Sequence, residues 1–113
     1  MSNHYGVNNL RGLKNAKFIN LEELFLSNCE IYSLDEIEMD QYPFDNLKVL
    51  DLNNNKISDI KPILRFKHLK ELNLEYNNIE TKDALVIKYN LNLRIFKVIG
   101  NNVEGPSIGI MYM

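Results

Sequence analysis

The sequence predicts an α/β repeat fold, a short solenoid in which one brief strand per repeat alternates with 3₁₀ turns and short helices. Three observations carry this reading. The pattern Leu-x-x-Leu-x-Leu-x-x-Asn-x-Ile occurs as Leu47, Leu50, Leu52, Asn55, Ile57 and again as Leu69, Leu72, Leu74, Asn77, Ile79. Looser copies flank these two: Leu21, Leu24, Leu26, Cys29, Ile31 upstream, and Leu93, Phe96, Val98, Asn101, Val103 downstream. The closing position, held by Ile31, Ile57, Ile79 and Val103, recurs at spacings of 26, 22 and 24 residues. Such spacings suit stacked units of roughly 20–29 residues.

At the N-terminus, Asn8-Asn9-Leu10 has the form of Asn77-Asn78-Ile79, and Leu10 stands 21 residues before Ile31. That register puts Tyr5 at an inward strand position. Residues 1–20 then form a degenerate half repeat or cap, 21–103 four repeat cores and 104–113 a tail, all in one domain. Within each core, Leu-x-Leu alternates apolar and unconstrained positions, the period-2 signature of a short half-buried strand. Leu50 and Leu52 point inward and Asp51 outward. The Asn three residues later sits where the chain turns away, and its amide can satisfy backbone groups that no neighbouring strand pairs. Cys29 takes that place in the first core, where a buried thiol can donate one weak hydrogen bond.

The return segments follow the same logic. Phe18, Phe44 and Phe66 each lie three residues before the leading Leu of the next core, where an aromatic fills the far side of the interior. Ser33-Leu34-Asp35-Glu36 has capping-box spacing and predicts a short helix to about Met39. Ser58 to Ile63 is too short and too interrupted by Pro62 for a regular helix, so a 3₁₀ turn is expected. Asp83 to Tyr89 predicts a second helix.

Taken together, the chain resembles the leucine-rich repeat family. Its 22-residue middle repeat is similar to the short class found in internalin-like proteins, the repeat regulatory subunit of phosphatase 1 and the spliceosomal A-prime protein. The resemblance implies a curved solenoid with a parallel sheet on its concave face, and an internal ladder made by Cys29, Asn55, Asn77 and Asn101. It also implies that binding falls to positions the framework does not constrain. Carried onto this chain, the residue between the two strand Leu gives Phe25, Asp51, Asn73 and Lys97. One row earlier gives Glu23, Val49, Glu71 and Ile95; one row later gives Ser27, Asn53, Glu75 and Ile99. The next row is Asn28, Asn54, Tyr76 and Gly100, and a flanking row, Glu22, Lys48, Lys70 and Arg94, is mostly basic.

These rows single out Glu23, Asp51, Asn53, Glu71, Asn73 and Glu75 around Phe25 and Tyr76 as an acidic surface with aromatic anchors. Aromatics are favoured as interface hot spots, and acidic surroundings speed encounter with a basic partner. The expected function is a non-enzymatic protein-interaction module contacting a basic protein segment. Two alternatives stand beside it. One is a structural subunit of a larger assembly such as a ribonucleoprotein particle, docked through its ends and its apolar tail, Gly105 to Met113. The other is a regulatory subunit of a phosphatase-like enzyme. For the tail itself, a strand completing the domain's own edge is the competing expectation.

Composition narrows the field. A formal charge of −2 argues against a nucleic-acid-binding surface. The first fifteen residues lack an apolar run, no segment is long enough to span a membrane, and no Asn-x-Ser/Thr sequon occurs, so a cytoplasmic or nuclear location is expected. One cysteine cannot form an internal disulfide. His4 and His68 have no carboxylate or thiol at a spacing that suggests catalysis. Asp51-x-Asn53-x-Asn55 with Asp59 copies part of a calcium loop, but Lys56 and Pro62 stand where that loop needs Gly and Glu. Gly105 to Gly109 lacks the strand and helix of a phosphate loop. No metal or cofactor is expected.

Overall fold

The computed structural model describes residues 4–6, 21–34, 46–103 and 110–112. Six strands follow in chain order: β1 (His4–Gly6), β2 (Glu23–Phe25), β3 (Val49–Asp51), β4 (Glu71–Asn73), β5 (Ile95–Lys97) and β6 (Ile110–Tyr112). They make one sheet whose spatial order equals their sequence order. The first four pairings, β1 with β2 through β4 with β5, are parallel, one strand per repeat; β6 closes the sheet antiparallel to β5. Parallel neighbours need a crossover, and each repeat supplies it as the return segment on the convex side.

The register is the sequence pattern made spatial. Tyr5, Leu24, Leu50, Leu72, Phe96 and Met111 lie opposite one another across the sheet. Beyond the strands the ladder continues, with the N–H groups of Leu26, Leu52 and Leu74 donating to the carbonyls of Asp51, Asn73 and Lys97 at 2.8 Å. From Leu21 to Val98, every apolar framework position of the four cores is at most 5% exposed. At roughly 1.5–3 kcal/mol per fully buried side chain, this stack is the main favourable term against chain ordering.

On the convex side, Lys61–Arg65 forms a 3₁₀ helix with Pro62 in its first turn. Proline's missing N–H has no partner to lose there. Ile60, Ile63 and Phe66 close this side of the core. Leu34 is buried; the short helix expected to reach Met39 lies outside the described residues beyond that point, as do Leu10, Phe18 and Phe44. The second expected helix is longer than its pattern, α1 (Thr81–Asn90), and turns Ala84 and Ile87 into the core. The extra residues are polar ends that periodicity does not mark. The tail pairs its own backbone with β5 through β6, the edge-completing alternative.

A candidate protein-interaction face

The outward positions of the strands share rows on the concave face. Glu23, Val49, Glu71 and Ile95 are register partners, and so are Phe25, Asp51, Asn73 and Lys97. Lys97 is exposed and the other seven are half-buried. Between them lies a shallow depression of about 130 Å³, with Leu50 and Leu72 at its base and Phe25, Asp51, Glu71 and Lys97 at its sides. A wider one of about 300 Å³ follows the flanking row, where Lys48 meets Glu22 at 3.0 Å while Lys70 and Arg94 stand exposed.

Two of the candidate residues do more than face solvent. Asp51 Oδ1 accepts the Asn53 backbone N–H at 3.0 Å and the Asn53 side-chain amide as well. Asn73 Oδ1 accepts the Glu75 N–H at 3.0 Å. A short polar side chain bonding two residues onward is an Asx turn, so these two residues shape the bend that follows the strand. Phe25 and Lys97, at the same row, lack an acceptor for this bond. Asp51 makes both of its bonds to Asn53 through one carboxylate oxygen.

Behind the bend lies the ladder. Asn55 Oδ1 accepts the N–H groups of Cys29 and Ile31 at 3.0 Å, and its Nδ2 donates to the carbonyls of Leu26 and Leu52. Asn77 repeats the arrangement toward Ile57, Leu52 and Leu74, and Asn101 toward Asn77, Ile79, Leu74 and Val98. Asn55, third residue of the calcium-like string, is therefore buried and committed to backbone groups. Cys29 differs from expectation in being half-buried; its Sγ donates weakly to its own repeat's Ser27 carbonyl at 3.5 Å. Desolvation pushes its thiol pKa up.

Backbone geometry adds a feature that the framework pattern does not reveal. Asn28, Asn54, Tyr76 and Gly100, one full row, all have positive φ, at 57°, 57°, 57° and 79°. Gly and Asn enter this left-handed region readily and bulky residues rarely do. The composition of the row, two Asn and a Gly, was the available signal, and Tyr76 is its exception. Of the remaining row, Ile99 is 42% exposed, so the tail strand does not bury it. Among the described residues no buried side-chain nitrogen or oxygen lacks a hydrogen-bond partner, and no three His, Cys, Asp or Glu side chains are placed to hold a metal ion. No helix of the described residues is long and apolar enough to cross a membrane.

Residues 45–86 match the family of Leucine Rich repeats in two copies, and residues 20–39 match the single Leucine Rich Repeat family. The chain belongs to the leucine-rich repeat family. Among curated relatives, the volume-regulated anion channel subunit LRRC8D of Homo sapiens is 41% identical over 68 residues, 58% of this chain and 8% of that protein. The Mus musculus subunit is 43% identical over 56 residues, 50% of this chain and 6% of its own length. Protein singed wings 2 of Drosophila melanogaster is 38% identical over 64 residues, 53% of this chain and 13% of that protein. The chain thus corresponds to a small part of each relative. No solved structure matches it. Leucine-rich repeats are typically non-enzymatic, and the repeats of this chain imply a protein-protein interaction module.

Proposed function

We propose that this leucine-rich repeat module binds a basic segment of a partner protein across its concave face. The observation that carries the proposal is the charge of the four outward rows. Among the described residues of the four cores, Glu23, Asp51, Glu71 and Glu75 lie on them with Lys97 as the single Lys or Arg. Phe25 and Tyr76 supply aromatic surface among these carboxylates, and Asn53 and Asn73 supply polar contacts. Electrostatic steering toward such a face raises association rates, and rim charges make binding sensitive to salt. The alternative of docking through the ends and tail, as a subunit of an assembly, gains no support from β6, whose backbone is paired with β5.

The test is selection of randomised peptides displayed on phage against the immobilised chain. Enriched peptides should be rich in Lys and Arg, and their affinity should fall at least tenfold in the Asp51→Lys, Glu71→Lys double variant. Enrichment of neutral or acidic peptides, or indifference to both substitutions, overturns the proposal.

A further inference from the structure

Three tyrosines of the described residues are more than half exposed: Tyr32 at 61%, Tyr76 at 55% and Tyr89 at 76%. Two of them already carry a cation from their own chain. Lys56 Nζ stands 5.0 Å from the Tyr32 ring centroid and 3.3 Å from its hydroxyl, and Lys88 Nζ stands 5.8 Å from the Tyr89 centroid. Tyr76, on the concave face, carries none among the described residues.

The Tyr76 ring is also held in place. Its residue occupies the left-handed region at φ 57°, and its backbone N–H donates to the Ile99 carbonyl at 2.9 Å. A Cβ built on Gly100 would lie 2.3 Å from Tyr76 Cδ1, 2.7 Å from Cε1 and 2.9 Å from Cγ. Nearness to three consecutive ring carbons puts Gly100 under the face of the ring and not beside its rim. Only glycine accommodates both the ring and its own positive φ. One face of the ring is thus seated on Gly100, while more than half of the residue stays open to solvent. The left-handed conformation belongs to the repeat, since Asn28, Asn54 and Gly100 share it; what sets this repeat apart is a bulky exposed ring where the others carry Asn or Gly.

The surroundings select the ligand. Glu75 precedes Tyr76, Asn54 is its row neighbour, and Asp51 and Glu71 lie on the strand rows of the same face. An aromatic face beside carboxylates favours a cation. Arginine fits both parts, since its planar guanidinium stacks on rings and bonds a carboxylate with paired N–H groups. The geometry points to Tyr76 as the receptor for an arginine side chain of the bound segment, stacked on the open ring face with its guanidinium donating to the Glu75 carboxylate. This rests on the reading of the concave face as a site for basic segments.

The test uses a hexapeptide of alternating Gly and Arg and its twin with neutral citrulline, titrated into the isotope-labelled full chain and followed by NMR. The arginine peptide should move the Tyr76 ring and Gly100 amide resonances, and the citrulline peptide should bind at least tenfold more weakly. Tyr76→Asn restores the residue type of Asn28 and Asn54, so the fold is kept; it should weaken arginine-peptide binding about five- to tenfold, whereas Tyr76→Phe should hold it within about twofold. Equal binding by the citrulline peptide, or by Tyr76→Asn, overturns the arginine site. If Tyr76→Asn is neutral while Asp51→Lys with Glu71→Lys abolishes binding, the acidic face stands and the arginine site falls. If binding depends on Tyr76 but not on Asp51 and Glu71, the arginine site stands and the acidic face falls. No shift with either peptide overturns both.

Discussion

Asn77 uses both ends of its amide in a space that water does not reach. Its oxygen accepts the Ile57 N–H and its nitrogen donates to the Leu52 and Leu74 carbonyls, at 6% exposure. Truncation leaves several buried groups unpaired, each costing about 1–3 kcal/mol. Asn77→Ala is therefore expected to lose about 3 kcal/mol or more in urea denaturation, and Asn77→Asp a similar amount, because a carboxylate cannot donate. Asn101 makes the same kinds of bond but is half-exposed, so Asn101→Ala should cost less; equal losses at the two positions would refute the burial argument. Cys29 carries a second prediction. Desolvation raises its pKa in the folded chain, so folding favours the thiol; that contribution is full below the unfolded pKa and is lost as pH rises through the folded one. The pH midpoint for maleimide labelling should lie higher in the native chain than in urea, and coincident midpoints would dismiss the effect.

Among the elements, α1 begins without a side-chain cap. Glu80 occupies the N-cap position in extended conformation at φ −94° and ψ 157°, yet makes no capping bond, and its exposed carboxylate lies 3.6 Å from Lys82. A serine hydroxyl there would reach the orphan N–H groups of the first turn, and Asp83 already stands at the third position. Glu80→Ser should raise stability by about 0.5–1 kcal/mol, read as a higher urea midpoint with unchanged slope. A lower midpoint would mean that the Lys82 pair outweighs a cap. α1 also shows what the sequence makes legible. Ala84 and Ile87 mark its buried side, but the ends at Thr81 and Asn90 have no apolar marker. The strands were legible because Leu-x-Leu states which side chains point inward, and with it which residues share the outer face. The bend after each strand was not. That Asp51 and Asn73 bond their own turns, and that Tyr76 sits at positive φ over Gly100, depend on backbone angles and a neighbouring repeat, which hydrophobic spacing does not encode.

As a whole the molecule is a stack in which each repeat is stabilised by its neighbours, so its ends decide how far order extends. β5 has a parallel partner on one side in β4 and the antiparallel β6 on the other. The tail stood in the sequence only as one of two alternatives for that edge, since Ile110–Tyr112 repeats no framework position and residues 104–109 carry no leucine pattern. Ending the chain at Val103 removes β6 and leaves the outer backbone groups of Ile95–Lys97 without it. An uncovered edge exchanges its amide hydrogens faster and offers a template for another chain. Hydrogen exchange should therefore accelerate at β5 and spread weakly to β4, while β2 and β3 keep their protection; sedimentation should show more self-association than for the full chain. Peptide binding that depends on Asp51 and Glu71, two strands and one strand from that edge, should survive the truncation. Unchanged protection at β5 would show that β6 adds nothing to the stack, and loss of peptide binding would place the interaction surface at the end of the solenoid and not on its face.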